Sequence, residues 1–180
     1  MLLWRLWPVL FRKSAPIRLI SVFPKMNCIK NKACDSAMQW VEIAETVRFN
    51  EIDQWGVAWH GHYLTWFEIG RIALLKRFDL LPEQMVAMGY LAPIIRLVCE
   101  YKNPALSGDE IVIRTTALKP EIAALVFKAE IHRPKDQALL ARSEITQVLM
   151  TTEKTMIYRL SGEIQARVQK LLAYCNSFAG

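Results

Sequence analysis

The stretch Asp53-Gln-Trp-Gly-Val-Ala-Trp-His-Gly-His-Tyr-Leu-Thr-Trp-Phe-Glu-Ile-Gly-Arg71 decides how the rest of the chain is interpreted. It places an acid, a turn glycine and a histidine directly before a long apolar segment. The carboxylate of Asp53 is a candidate base or nucleophile, and Gly56 lets the backbone turn sharply behind it. If the apolar segment is a helix, the free N–H groups of its first turn suit a developing oxyanion. This combination is typical of acyl chemistry.

The apolar segment predicts a central helix from His62 or Tyr63 to Phe78. At 100° per residue most of its circumference is apolar. The polar residues are few, and four of the six fall on one narrow stripe: Thr65, Glu68, Lys76 and Asp79. Such a helix must be covered on several sides, and a curled antiparallel sheet provides that cover. The spacing of the apolar residues by itself indicates only that the helix is buried.

Alternating apolar and polar residues predict strands around this helix. The predicted strands are Trp40–Asn50, Ala92–Tyr101, Ile111–Leu118, Ala123–His132 and Leu139–Met150, with Thr151–Tyr158 as a candidate edge strand. Helices are predicted at Pro82–Gly89 and from Ser161 to about Tyr174. The short connections Lys119–Glu121 and Pro134–Asp136 fit hairpins, so we expect an antiparallel sheet in an α+β protein.

The motif Val47-Arg-Phe-Asn-Glu-Ile-Asp53-x-x-Gly56-Val57-x-Trp59-His60-x-x-Tyr63-Leu64-x-Trp66-Phe67-Glu68 resembles the signature of the hotdog-fold acyl-CoA thioesterases. It is most similar to the 4-hydroxybenzoyl-CoA thioesterase family, in the branch associated with the Tol-Pal system. Weaker matches continue downstream, so that the resemblance covers about Trp40 to Thr152. It implies a hotdog fold, in which a curled antiparallel sheet of about five to six strands wraps one long helix.

The resemblance also implies an activity, the hydrolysis of acyl-CoA or acyl-carrier-protein thioesters to free acid and thiol. In resembling enzymes the acid at the position of Asp53 attacks the thioester carbonyl or activates water to do so. His60 would assist, and the backbone N–H of His60 or Gly61 would polarise the carbonyl. On spacing alone, Asp53 is equally well interpreted as an Asx-turn residue, and His60 as a histidine bonded to backbone.

Three aromatic residues, Phe49, Trp59 and Tyr63, are predicted to line the substrate pocket. Phe49 departs from the family pattern, because many members of the branch have Tyr there, so a hydroxyl-assisted step is in doubt. Glu68 is a possible secondary acid, since another hotdog lineage uses a helix carboxylate. Its simpler interpretation is a dimer contact or a solvated side chain.

We expect no metal, because His60 and His62 lack a completing carboxylate cluster. No dissociable cofactor is needed, and glycine-rich phosphate loops are absent from the sequence. The phosphates of a bound CoA would have to meet scattered cations, with Lys102, Arg133 and Lys135 as candidates by position only.

The net charge of +6 belongs to the N-terminal part of the chain. Residues 1–39 hold seven basic residues and one acid, which leaves 16 of each in residues 40–180. We therefore expect a basic, flexible extension before one hotdog domain, with no surface for nucleic acid. The extension has three interpretations: a membrane-surface segment, an organelle-targeting peptide, or a disordered tail ahead of a true start at Met26 or Met38.

Four cysteines among 180 residues do not form a disulfide framework, so a reducing, cytoplasmic location fits best. The resemblance implies a homodimer or homotetramer with sites at the subunit interfaces. Two alternatives stay open. One is a non-catalytic module that binds acyl thioesters or lipids in the same pocket, and the other is a membrane-associated protein that acts through residues 1–39.

Overall fold

The computed structural model describes residues 38–118 and 124–177, which form one long helix against an antiparallel sheet. The helices are α1 (His60–Lys76), α2 (Pro82–Ala87) and α3 (Gly162–Cys175), with a 3-10 turn at Phe49–Glu51. The strands are β1 (Val41–Thr46), β2 (Tyr90–Leu91), β3 (Ile94–Tyr101), β4 (Glu110–Leu118), β5 (Ala124–Arg133), β6 (Ala138–Val148) and β7 (Met150–Thr151). The predicted connection Lys119–Glu121 and residues 1–37 of the predicted extension lie outside the described residues.

The main sheet has five strands in the order β1-β4-β5-β6-β3, and every neighbouring pair is antiparallel. A second, two-stranded sheet joins β2 to β7. These elements confirm the predicted α+β class, in which a long helix packs on an antiparallel sheet of about five strands. None of the helices in the described ranges is long and apolar enough to cross a membrane.

The inner face of the sheet carries the core and meets α1. Cross-strand pairing sets Ile113 beside Ile131 and Ile131 beside Ala141, and all three are fully buried. The helix comes closest where it has no side chain, because a Cβ atom on Gly70 would lie 2.4 Å from Oγ1 of Thr115. A glycine is therefore required where α1 crosses β4.

The outer face carries one row of alternating charges across all five strands. The register aligns Glu42, Arg114, Glu130, Arg142 and Glu100 in that order. The N···O distances in this row are 3.2 Å for Arg114–Glu42, 3.9 Å for Arg114–Glu130 and 3.0 Å for Arg142–Glu100. Because neighbouring charges compensate each other, this face presents no basic field.

The boundaries of several predicted elements were wrong. The first strand ends at Thr46 rather than Asn50, because the backbone of Val47 bonds to Asp109 and Gly108 and the chain then enters the 3-10 turn. α1 begins two residues before the predicted His62 and stops at Lys76. The left-handed φ of 54° at Asp79 reverses the chain there, and Leu80 N–H bonds back to Leu75 O at 3.1 Å.

Two predicted strands near the chain's second half were also too long. The predicted strand Ala92–Tyr101 starts two residues too early, since β3 begins at Ile94, after Pro93. The short strand β2 lies before it and was not predicted. Of the candidate edge strand Thr151–Tyr158, only Thr151 lies in β7, and the rest contributes one isolated bridge at Met156.

Candidate active site

Asp53 lies in a small hairpin that leads into α1. An antiparallel bridge joins Ile52 to Ala58, and Asp53 N–H donates to Val57 O at 2.8 Å. Gly56 closes the turn with a φ of 77°, and its N–H donates to Asp53 O at 3.0 Å. At the open end, Trp59 N–H donates to Glu51 O at 2.8 Å. The carboxylate and the start of the helix are thus parts of one hydrogen-bonded loop.

The carboxylate of Asp53 is anchored through one oxygen. Oδ1 accepts a hydrogen bond from Trp55 N–H at 2.8 Å, which is an Asx-turn. In the described part of the chain, Oδ2 has no hydrogen-bond partner, and the residue is only half-buried. The Asx-turn interpretation is therefore correct as geometry, and it leaves the second oxygen available for chemistry.

Glu51 holds this hairpin against the helix, a role that sequence reasoning missed. Its side chain is buried, at 7% exposure. Oε2 accepts from Arg48 N–H at 2.8 Å, and Oε1 accepts from the indole Nε1–H of Trp66 at 3.3 Å. The partner lies fifteen residues further along the chain, so no local spacing rule connects the two.

The first turn of α1 offers free backbone donors. Trp59 precedes the helix without a side-chain cap, and the N–H groups of His60 and Gly61 come before the first intrahelical acceptor. Within residues 38–118 and 124–177, neither N–H has a hydrogen-bond acceptor. They lie at the N-terminal end of the helix, where the positive end of the helix dipole suits a developing negative charge.

The imidazole of His60 is exposed and contacts an aromatic ring rather than an acid. Its centroid lies 4.8 Å from that of the Trp59 indole, and His62 lies 5.5 Å from the same indole in an edge contact. No hydrogen bond joins His60 to Asp53 among the described residues. The assisting role of His60 stays a prediction.

Gly61 is required by the position of Trp59. A Cβ atom on Gly61 would lie 2.0 Å from Cζ3 of the indole, well inside contact distance. The indole therefore lies directly over the backbone of the first helical turn. Nothing in the sequence spacing predicts this contact, because it depends on the side-chain conformation of Trp59.

Of the three predicted pocket residues, Tyr63 is buried in the core. It is 3% exposed, and its hydroxyl oxygen accepts from Ala105 N–H at 2.9 Å. Burial raises the pKa of Tyr63 above its ordinary value, against the opposing effect of the Ala105 hydrogen bond. Its ring makes edge contacts with Trp66 at 4.9 Å and with Tyr101 at 5.2 Å.

Phe49 and Trp59 lie at the surface of this chain, with 86% and 48% of their areas exposed. Phe49 is in the 3-10 turn that precedes the hairpin. The described part of one chain therefore does not enclose a pocket around these two residues. Their place in a pocket stays a prediction that depends on a second surface.

Glu68 is an ion-pair partner of Arg71, one helical turn further along α1. Both carboxylate oxygens accept hydrogen bonds from the Arg71 guanidinium, one of them from Nε at 2.9 Å. Arg71 is itself buried and donates through Nη1 to Gln147 at 2.9 Å. With both oxygens engaged, Glu68 serves this network, and its role as a secondary acid stays a prediction.

The cations proposed for CoA phosphates differ in their surroundings. Arg133 lies between two acids, 2.7 Å from Asp109 and 2.8 Å from Asp136, and these hydrogen bonds raise its pKa. Lys102 lies 2.5 Å from Glu100. Lys135 is exposed. In the described ranges, no three His, Cys, Asp or Glu side chains are grouped in a way that could hold a metal ion.

Several proteins that this chain resembles in sequence or in fold are named as thioesterases. The family model described as "Thioesterase-like superfamily" matches residues 47–168. "Putative acyl-CoA thioesterase YneP" of Bacillus subtilis (strain 168) is 39% identical over 69 residues, which are 38% of this chain and 50% of that relative. The chain thus spans half the length of that relative.

Two solved structures share the hotdog fold. Slr0204, a 1,4-dihydroxy-2-naphthoyl-CoA thioesterase from Synechocystis, superposes with a TM-score of 0.66 at 17% identity, over 75% of this chain and 96% of that one. The DHNA-CoA thioesterase from Staphylococcus aureus gives 0.65 at 23% identity, over 74% and 91%. At these sequence identities the similarity shows only that the folds are alike.

Proposed function

The chain belongs to the thioesterase-like superfamily, and from that premise we propose that it hydrolyses acyl-CoA thioesters, or the corresponding acyl-carrier-protein thioesters, to free acid and thiol. One observation carries this proposal. The hydrogen bond from Trp59 N–H to Glu51 O closes a loop that holds the carboxylate of Asp53 and the free N–H groups of α1 in one unit. An acid and an oxyanion donor on one rigid loop are what acyl transfer to water requires.

Asp53 is the catalytic carboxylate in this proposal, as nucleophile or general base. Its Oδ2, free among the described residues, either attacks the thioester carbonyl carbon or removes a proton from the water that does so. In the first route an acyl-aspartyl anhydride forms, the C–S bond breaks, and water then cleaves the anhydride. In the second, water adds directly and the thiolate leaves. In both, the thiolate takes up a proton, and the products are the carboxylic acid and the free thiol.

The N–H groups of His60 and Gly61 stabilise the oxyanion that forms on the carbonyl oxygen. Both are first-turn donors without an intrahelical partner, and one such donor typically contributes about 10²–10³ in rate. The His60 imidazole, exposed beside the Trp59 indole, orients the acyl group or water. Its contribution is smaller than that of Asp53, since it is not hydrogen-bonded to that acid.

A second copy of the chain completes the pocket around the exposed Phe49 and Trp59. β3 is an edge strand with one neighbour, β6. Its apolar side chains are exposed along most of its length: Ile94 45%, Ile95 61%, Leu97 37% and Val98 37%. A long apolar edge strand exposes unpaired backbone groups and apolar side chains, so in stable proteins another element or another chain covers it. Pairing of β3 with the same strand of a second copy would give a homodimer. A homotetramer would require a further interface.

The finer family placement rests on the motif from Val47 to Glu68. We place the chain in the 4-hydroxybenzoyl-CoA thioesterase family, in the Tol-Pal-associated branch, because the acid, glycine, histidine and glutamate keep that spacing. We also place it in the cytoplasm, which the free thiols of Cys99 and Cys175 support. One hotdog domain from residue 40 to residue 180, preceded by the basic extension, stays the proposed organisation.

The test is the release of free thiol from acetyl-CoA, decanoyl-CoA, palmitoyl-CoA and benzoyl-CoA by wild type and Asp53→Asn. We expect Asp53→Asn to reduce kcat by more than about a hundredfold, in the range of a catalytic acid or base. Asp35→Asn, in the basic extension, is the matched control. Equal turnover by wild type and Asp53→Asn would show that the assignment of Asp53 is wrong. No turnover of any CoA ester by folded wild type would favour a carrier-protein substrate or a non-catalytic binding module.

A further inference from the structure

The hydroxyl of Tyr101 lies next to the proposed oxyanion donors. It donates a hydrogen bond to the backbone carbonyl oxygen of His60 at 3.0 Å. Tyr101 is the last residue of β3, whereas His60 is the first residue of α1, so this contact joins the sheet to the start of the helix. The two residues are 41 positions apart.

The carbonyl of His60 and the N–H of Gly61 belong to the same peptide unit. That unit is planar and trans, so its C=O and N–H point in opposite directions and rotate together. A second donor on the carbonyl therefore fixes the direction of the Gly61 N–H. It also polarises the amide and makes the N–H a stronger donor, because hydrogen bonds in a chain strengthen each other.

The geometry points to Tyr101 as a positioning residue that orients and polarises the His60–Gly61 peptide, whose N–H holds the oxyanion of the thioester. This inference rests on the proposed function and adds a residue that does not itself touch the substrate. Tyr101 acts through the backbone, so its requirement is a hydroxyl donor at this position rather than an acid or a base.

The surroundings of Tyr101 hold its hydroxyl in place. Its ring contacts the buried Tyr63 ring edge-on, with centroids 5.2 Å apart and planes at 88°. Tyr63 is in turn fixed by Ala105 N–H. Desolvation by burial and the neighbouring thiol of Cys99 raise the pKa of Tyr101 to about 12. The hydroxyl therefore keeps its proton, and stays a donor, at any pH at which an enzyme of this class would work.

The glycine end of the same peptide has a neighbour of its own. The indole of Trp59 lies over the α-carbon of Gly61, where a Cβ atom would be only 2.0 Å from the ring. The peptide is thus held by an indole over its glycine and by a hydroxyl on its carbonyl. A donor fixed by two contacts needs little reorganisation when charge develops, which is the condition for strong oxyanion stabilisation.

The first arm of the test compares kcat and KM for benzoyl-CoA and decanoyl-CoA in wild type, Tyr101→Phe and Asp53→Asn. Tyr101→Phe keeps the ring contact with Tyr63 and removes only the hydroxyl. We expect kcat to fall about tenfold with KM changed less than twofold, because the donor acts on the developing charge. Tyr158→Phe, at an exposed site, is the matched control and should retain wild-type turnover.

The second arm measures the thioester carbonyl stretch of benzoyl-CoA bound to Asp53→Asn and to Asp53→Asn/Tyr101→Phe. Polarisation lowers this frequency, so a smaller shift is expected in the double variant, and a purely structural role would leave it unchanged. If Tyr101→Phe turns over at the wild-type rate while Asp53→Asn is inactive, the inference is overturned and the proposed function stands. If folded wild type cleaves none of the CoA thioesters, the acyl-CoA form of the proposed function fails, and the inference, which rests on it, fails with it.

Discussion

The buried carboxylate of Glu51 accepts a hydrogen bond from the indole nitrogen of Trp66 at 3.3 Å. Its other oxygen accepts from Arg48 N–H, and its backbone oxygen accepts from Trp59 N–H. Glu51 therefore connects the turn before Asp53 to two points of the helix, its start at Trp59 and Trp66 in the first half of α1. Both the side chain and the backbone of this one residue therefore help to fix the candidate acid relative to the helix.

Substitution of Glu51 by Gln should destabilise the fold and reduce activity together. An amide has one acceptor oxygen, so either the partly buried Arg48 N–H or the buried Trp66 indole N–H would face an NH₂ group and lose its hydrogen bond. An unsatisfied buried donor costs about 1–3 kcal/mol, measurable as a lower urea midpoint with an unchanged slope. Glu45→Gln, at a solvent-accessible ion pair of 3.8 Å, should change stability by less than about 1 kcal/mol. Equal stability of both variants would contradict a structural role for Glu51.

Substitution of Gly61 by Ala should disturb Trp59, because the new methyl group would occupy the place of the indole. We expect lower thioesterase activity and a changed tryptophan fluorescence spectrum. In a Trp59→Ala background the same change should instead stabilise the helix by up to about 1 kcal/mol, since Ala is the better helix former. A double-mutant cycle of Gly61→Ala and Trp59→Ala measures whether the effect of Gly61→Ala on the free energy of unfolding changes sign. Additive effects would mean that the two residues do not meet.

Substitution of Ile95 by Asp should prevent self-association. Ile95 is 61% exposed in the single chain and lies at the irregularity where β3 leaves its register with β6, so the monomer tolerates a polar side chain there. A charge in a dimer interface would be buried without a partner. Sedimentation velocity should give a monomer for Ile95→Asp and a dimer for wild type. Val86→Asp is the matched control, because Val86 is 49% exposed but lies on α2, and its dimer should persist.

Tyr101 should make the protein lose stability at alkaline pH. Its pKa is about 12 in the folded chain, raised by burial from the ordinary 10.0. The folded state therefore binds more protons than the unfolded state between these values, and stability falls as pH rises through that window. Below pH 10 the contribution is fully present. Urea unfolding at several alkaline pH values should show a larger loss in wild type than in Tyr101→Phe, which keeps the loss due to the raised pKa of Tyr63. Identical profiles would exclude the raised pKa.

Local sequence was sufficient for the elements and for the motif that carries Asp53. The apolar segment predicted α1 within two or three residues at its start and two at its end, and the alternating segments predicted β4, β5 and β6, because each of these signals is a period of the chain itself. Local sequence did not predict an element's end where the backbone there bonds to a distant part of the chain. Val47 bonds to Asp109 and Gly108, and this long-range pairing ends β1 four residues before the predicted Asn50.

The sequence by itself determined the helix, the sheet's antiparallel strands and the acid-to-helix motif with its turn glycine, since all of these depend on neighbours within a few residues. The tertiary structure decided which groups surround that motif. Glu51 meets Trp66 across fifteen residues, and Tyr101 reaches His60 across forty-one. Glu68 is occupied by Arg71, and Phe49 is left exposed until another surface covers it. Such contacts follow from how the helix is laid on the sheet, and no spacing along the chain encodes that placement.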